Sequence, residues 1–256
     1  MAVIGIFDSG SGGLSVLREI LKVLPGERYV YYSDNAYCPY GNKSREYVVS
    51  RARTITDLLL AKGCDAIVVA CNTATAAAIE TLRSEYDVPF IGMEPAVKPA
   101  ALGTKSGVIG VLATAGTLKA SKYLKTRGIY ENDVKVAERV GDGFVELVEN
   151  GVLSGPEAES VVERSVRPLL DAGADIIVLG CTHYPFLIDT IRKVAGPEVQ
   201  IIDPAPAVAN QLVRVLKNKG IAISGNNPEK EKADFSLELL SSGDPSTMKA
   251  LCATFV

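Results

Sequence analysis

Histidine is nearly absent from this 256-residue chain, which has only one, and its five cysteines include no C-x-x-C pair. The usual zinc spacings cannot be assembled from local motifs with that stock, so no metal site is expected. An odd cysteine count without close pairs does not read as a disulfide framework. Cys38, Cys64, Cys71, Cys181 and Cys252 are therefore expected to be free thiols, and most such thiols are simply small buried hydrophobes. A basic excess is also missing: 27 Lys and Arg stand against 30 Asp and Glu, for a net charge of −3. A nucleic-acid partner needs a positive face to displace counterions, so none is expected. No run approaches the ~20 apolar residues of a membrane span. No charged leader precedes the strand-like Val3-Ile4-Gly5-Ile6-Phe7, and a cytoplasmic location without membrane contact is the expectation. The glycines after Asp8 complete neither G-x-x-x-x-G-K-[ST] nor G-x-G-x-x-G, which argues against a phosphate cradle.

What the chain does have is apolar residues in quantity, 47% of the total, and they come in a regular order. Short β-branched runs are expected as strands at Val3–Phe7, Tyr29–Ser33, Ala66–Ala70, Phe90–Met93, Val108–Ala113, Val134–Glu138, Ile176–Gly180 and Gln200–Ile202. Helical patterns lie between most of them, notably over Arg45–Lys62, Ala74–Tyr86, Glu157–Ala172 and Ala207–Lys219. Such alternation is the signature of an α/β fold with mainly parallel sheets. Ligands of such sheets bind outside the carboxyl ends of the strands, so the residue following each strand is the place to look for chemistry.

The chain also repeats itself. VIGIFDSG at Val3–Gly10 returns as VIGVLATA at Val108–Ala115, GCDAIVVACNT at Gly63–Thr73 as GADIIVLGCTH at Gly173–His183, and PAV at Pro95–Val97 at Pro206–Val208. Three matches in one order with nearly constant offset point to two similar α/β lobes related by a pseudo-twofold, with the active site in the cleft between them. The first lobe is expected over residues 1–97 plus 208–256 and the second over 98–207. The repeat makes Cys71 and Cys181 equivalent, each ending a strand and each entering a helix. A lone cysteine at a strand end is more often inert core than catalyst. A repeated pair reverses those odds, because inverting a stereocentre by proton transfer needs a base on one face of the carbon and an acid on the other. Helix-end N–H groups would favour the thiolate at such a junction.

Several of these segments resemble the glutamate racemases of the aspartate/glutamate racemase family. DSGSGGL at Asp8–Leu14, CPYG at Cys38–Gly41, ACNTAT at Ala70–Thr75, GCTHYP at Gly180–Pro185 and SGDP at Ser242–Pro245 carry the likeness in order along essentially the whole chain. The resemblance implies that L- and D-glutamate are interconverted without any cofactor, with Cys71 and Cys181 as the two proton donor/acceptors, and that D-glutamate feeds peptidoglycan synthesis and so cell shape. It implies that Asp8 and Ser9 hold the substrate and assist on the Cys71 side, whereas the residue types alone also allow Asp8 as a helix N-cap. It makes the backbone N–H groups of Tyr40 and Gly41 receivers of the substrate's side-chain carboxylate, where the bland alternative is a Pro-Tyr-Gly turn, and leaves Cys38 structural. Asn72, Thr73 and Thr182 become ligands of the amino and carboxylate groups, against a plain capping role. Thr114 and Thr117 become ligands of the α-carboxylate. His183, otherwise a candidate packing residue, is assigned to tune the neighbouring thiol, and Glu149 to assist it, against a solvated helix position. The family is also expected to form a homodimer. An aspartate racemase, a two-lobed amino-acid binding protein and a one-nucleophile thiol hydrolase are the rival readings. The last would leave one of the two cysteines without a purpose.

Overall fold

The computed structural model describes residues 1–224 and 236–255. Contacts divide the chain into two compact units, Met1–Met93 with Ala205–Val256, and Glu94–Pro204. These cuts fall at 93/94 and 204/205, where the repeat places them at 97/98 and 207/208.

The first unit contains β1 (Val3–Asp8), α1 (Leu14–Val23), β2 (Arg28–Ser33), α2 (Arg45–Ala61), β3 (Ala66–Val69), α3 (Asn72–Glu85) and β4 (Phe90–Gly92). The second contains α4 (Val97–Gly103), β5 (Val108–Ala113), α5 (Ala115–Leu118), α6 (Ser121–Tyr130), β6 (Lys135–Val140), α7 (Phe144–Glu149), α8 (Pro156–Asp171), β7 (Ile176–Gly180), α9 (Ile188–Ala195) and β8 (Gln200–Ile202). The chain then returns to the first unit with α10 (Ala205–Asn218), β9 (Ser236–Ser241) and α11 (Ser246–Cys252).

Each unit is built on one sheet, and every described strand pairing is parallel. The first sheet runs β4-β3-β1-β2-β9 and the second β8-β7-β5-β6. Four strands therefore recur in the same order, as the sequence repeat requires, and β9 is an addition that pairs with β2 along Arg28–Ser33. Both faces of a parallel sheet are covered, so its strands read as continuous apolar runs instead of alternating ones. β3 and β7 are buried at every residue. Phe7, Ile67 and Val69 pack with Val49, Ile55, Leu59 and Ile79 of the covering helices in the first unit, and Ile109, Val111 and Val178 with Val97 and Tyr123 in the second.

Local signals start the helices. The Ser44 hydroxyl accepts from the Tyr47 N–H at 3.2 Å to cap α2. Pro156 and two glutamates occupy the first turn of α8, where a missing N–H costs nothing and negative charge is favoured by the helix dipole. Among the described residues, no helix is long and apolar enough to cross a membrane.

In both sheets the chain moves outward from the first strand in one direction and then crosses to its other side. The carboxyl ends of β1 and β3 in one unit, and of β5 and β7 in the other, thus lie at a topological switch point, where open α/β sheets bind their ligands. Asp8, Cys71, Thr114 and Cys181 all sit at these ends.

Candidate active site

In the first unit the site grows from the turn after β1 and the start of α3. Asp8 is fully buried and Ser9 nearly so. One Asp8 oxygen accepts from the Gly13 N–H at 2.8 Å, and the other lies 3.4 Å from the Ser9 hydroxyl. The turn is tight: a Cβ on Gly13 would lie 2.8 Å from that of Asp8. Asp8 does hold the approach to α1, but the position before the helix is Gly13, which has no side-chain cap. The Cys71 thiol lies 3.6 Å from the Ser9 hydroxyl and accepts from the Ala74 N–H at 3.4 Å. The sulfur itself is therefore the N-cap of α3, and the helix begins at Asn72, two residues before the expected Ala74. A thiolate in that position is favoured by the helix N-terminus.

The capping alternative for Asn72 fails, because Cys71 occupies that role. Instead the Asn72 carboxamide is buried with neither its nitrogen nor its oxygen hydrogen-bonded. An unpaired buried amide costs about 1–3 kcal/mol. Such a cost beside a thiol is what a ligand site shows when a bound group supplies the missing partners. Thr73 is also buried. Thr75, the last residue of ACNTAT, donates to the Val69 carbonyl at 3.1 Å and accepts from the Met93 N–H at 3.0 Å, tying α3 to β3 and β4.

Tyr40 and Gly41 lie in a short 3₁₀ turn, Tyr40–Asn42, after the cis Cys38–Pro39 peptide. The Tyr40 ring is buried and its hydroxyl donates to Asp34. Asp34, fully buried, also takes a bidentate pair from Arg51 of α2 at 2.9 and 2.7 Å. The Arg51 guanidinium lies 4.0 Å over the Tyr37 ring. Burial, the Asp34 hydrogen bond and the negative charges of Asp34 and Cys71 push the Tyr40 phenol far above its ordinary value. It stays neutral, so Tyr40 fixes the turn with its side chain. The sequence reading did not single out Asp34 or Arg51. The rule that chemistry follows strand ends points to Asp34, which follows β2 directly.

The second unit treats its thiol differently. Cys181 follows β7 but enters a turn and the 3₁₀ segment Tyr184–Leu187, and only then α9. The helix expected after Cys181 thus begins as a 3₁₀ segment before it becomes α9. Pro185 has no N–H to donate to the Cys181 carbonyl, and the Tyr184 N–H takes that place at 3.2 Å in a tighter turn. The Cys181 sulfur lies 3.8 Å from His183 Nδ1, and His183 Nε2 lies 2.7 Å from a Glu149 oxygen at the end of α7. His183 is 2% exposed and the Glu149 side chain 20%. Glu149 is thus a partner of the histidine and not a solvated helix residue. A carboxylate on one ring nitrogen orients the imidazole and strengthens it as a base at the other. Thr182 is buried. The Thr114 and Thr117 hydroxyls are 2.9 Å apart, and Thr114 also caps α5 by accepting from the Thr117 N–H. Tyr184 is fully buried edge-on to Phe144 at 4.9 Å. Burial and the neighbouring Cys181 raise its phenol well above the ordinary value.

Two further buried cysteines have raised thiols. Burial, with the charges of Asp65 and Glu238, pushes the Cys64 thiol up to about 12, and burial raises Cys252.

Comparison with known proteins follows the same lines. The family model for Asp/Glu/hydantoin racemases matches residues 4–212. A glutamate racemase of Methylococcus capsulatus is 53% identical over 218 residues, covering 85% of this chain and 80% of that one. The crystal structure of a Bacillus anthracis glutamate racemase isoform matches with a TM-score of 0.86 at 34% identity, over 99% of this chain and 93% of that one. The Francisella tularensis glutamate racemase, crystallised with D-glutamate, matches with a TM-score of 0.82 at 26% identity over 99% and 93%.

Proposed function

The chain belongs to the Asp/Glu/hydantoin racemase family and is an amino-acid racemase, an isomerase, and on that premise we propose that it interconverts L- and D-glutamate by a two-thiol proton transfer at Cα. The observation that carries the proposal is the repeated placement of a nearly buried thiol at the carboxyl end of the third strand of each sheet, Cys71 at 5% and Cys181 at 7% exposure. Each has polar groups of its own around it.

In one direction the thiolate of one cysteine removes the Cα proton and becomes a thiol. The electron pair left on Cα is delocalised into the α-carboxylate. The thiol of the other cysteine then delivers its proton to the opposite face and becomes a thiolate. The protonation states of the two sulfurs are now exchanged, and the reverse reaction begins from that state. Ser9 and the Ala74 N–H lie within reach of the Cys71 sulfur, and His183, held by Glu149, lies beside the Cys181 sulfur as a proton-transfer partner.

Around that carbon, Asp8 and Asn72 are assigned to the ammonium group, with Ser9, Thr73 and Thr182 as further polar contacts. Thr114 and Thr117 are assigned to the α-carboxylate, and the Tyr40 and Gly41 N–H groups to the side-chain carboxylate. The unpaired Asn72 amide supports its part in this set. No pyridoxal phosphate, metal or nucleotide enters the scheme. By family likeness the enzyme is a cytoplasmic homodimer that supplies D-glutamate for peptidoglycan.

Incubation of the protein with L-glutamate in deuterated water, without added cofactor, tests the proposal. D-Glutamate carrying deuterium at Cα is the expected product. Cys71→Ala and Cys181→Ala each remove one of two obligatory proton carriers, and racemisation is expected to fall at least ~10³-fold, within the range of lost acid–base catalysis. Parental rates in Cys181→Ala would refute the two-thiol scheme. The same assay with aspartate separates the two substrates, glutamate being expected to react much faster.

A further inference from the structure

We infer that the C-terminal strand β9 and the SGDP turn after it form a latch on Asn35, and that this latch sets the affinity of the turn carrying Tyr40 and Gly41 for a side-chain carboxylate. The inference rests on the proposed role of those two N–H groups.

The turn from Asn35 to Asn42 is pinned from two directions. On one side the Asp34–Arg51–Tyr40 network fixes it to α2. On the other side, Asn35 Oδ1 accepts from the Ser241 hydroxyl at 2.7 Å and from the Gly243 N–H at 2.8 Å, while its Nδ2 donates to the Asp244 carbonyl. The Ser242 hydroxyl accepts from the Ala36 N–H at 3.1 Å. The approach is close enough that a Cβ on Gly243 would sit 2.9 Å from Asn35 Oδ1 and 3.3 Å from the Ala36 nitrogen, so a side chain there would press on the Asn35 amide. β9 itself is held in register against β2 through Ser33↔Ser241, one residue before Asp34 and Asn35.

Among the described residues nothing in the second unit corresponds to β9, and the second sheet ends at β6. The addition is made only to the copy whose strand-end turn is assigned to the substrate side chain. Backbone donors recognise an anion only where the turn holds them convergent before binding. Ordering a loose turn would otherwise draw on the binding energy, at about 1–2 kcal/mol per residue fixed. The side-chain carboxylate keeps its charge throughout proton transfer at Cα, so its binding is the same in ground and transition states. Weakening such an interaction raises KM and leaves kcat in place. Asn35 is therefore a positioning residue for affinity, distinct from the groups that move protons.

The test is steady-state racemisation of glutamate by Asn35→Ala, with Asn35→Asp as partial rescue because it keeps the acceptor for Ser241 and Gly243. A KM raised about 10-fold with kcat within about threefold of the parent is expected for Asn35→Ala, with an intermediate KM for Asn35→Asp. An unchanged KM overturns the inference, and so does a kcat that falls as far as KM rises, which marks general collapse. If Asn35→Ala does not fold, Gly243→Ala, whose added methyl presses on the same amide, gives the same readout, with a KM rise of about threefold expected and an unchanged KM overturning the inference. Failure of the parent to racemise glutamate would instead defeat the proposed function, so the two failures are separate.

Discussion

The two thiols stand on matching strands of a repeated sheet, yet they are surrounded by unlike chemistry. Cys71 is the N-cap of an α-helix, with a hydroxyl and a backbone N–H within 3.6 and 3.4 Å of its sulfur. Cys181 is separated from the next α-helix by a proline-bearing 3₁₀ turn and faces an imidazole backed by a carboxylate. Repetition has kept where each sulfur stands, and the loops have changed what surrounds it. A fixed dipole favours the thiolate at all pH values, whereas an imidazole can take up the proton and return it. The two strand-end thiols thus sit in physically different surroundings.

Substitutions directed at one half at a time break this comparison. Among substitutions that leave both thiols in place, the largest kinetic effect is expected from His183→Asn, which removes the imidazole beside the Cys181 sulfur. kcat should fall about 10²-fold, read by circular dichroism of the glutamate pool. Ser9→Ala, which removes a hydroxyl from the Cys71 side but leaves the helix N-terminus, should cost about 10-fold. Equal losses in the two variants would mean that the halves are interchangeable after all.

Stability separates the halves further. Arg51→Met leaves Asp34 buried in the first unit with its ion-pair partner gone. A cost of about 3 kcal/mol is expected, seen as a fall in Tm of roughly 6–12 °C. The smallest effect belongs to Asp175, which precedes β7 in the second unit. Burial raises its carboxyl, but hydrogen bonds from Thr104 and the Lys105 and Ser106 N–H groups outweigh that and bring it down to about 2. A depressed carboxyl stabilises the fold above its unfolded value of about 3.9 and loses that contribution as pH falls toward 2. Asp175→Asn should therefore lower Tm slightly at pH 6, and the difference from the parent should shrink between pH 4 and pH 2.

The order of strands and the positions of the two cysteines were legible because a buried parallel strand must be apolar along its length, and a repeat preserves that pattern. Helix ends agreed to within a residue or two where a cap or turn marked them, as at Arg45 and Pro156. β9 was not legible: Ser236–Ser241 is an edge strand with Glu238 in its middle and exposed positions along it, and it offers no continuous apolar run. The Asp34–Arg51–Tyr40 network was hidden for another reason. An arginine well inside an amphipathic helix reads as a solvated residue until the fold brings a buried carboxylate to it. The short helix α7 is the clearest case for Glu149, whose partner lies 34 positions away and is joined to it only by the path of the chain through α8 and β7.

The half that holds Cys71 is assembled from two separate stretches of the chain, with β9 arriving after the whole of the other half. As the chain leaves the ribosome, the Glu94–Pro204 segment is complete while β2 still lacks its outer neighbour and shows a bare row of amides and carbonyls. β9 is also the strand that secures the turn at Asn35. Until β9 and the residues after it are made, the turn at Asn35 therefore lacks its hydrogen bonds with Ser241, Ser242, Gly243 and Asp244.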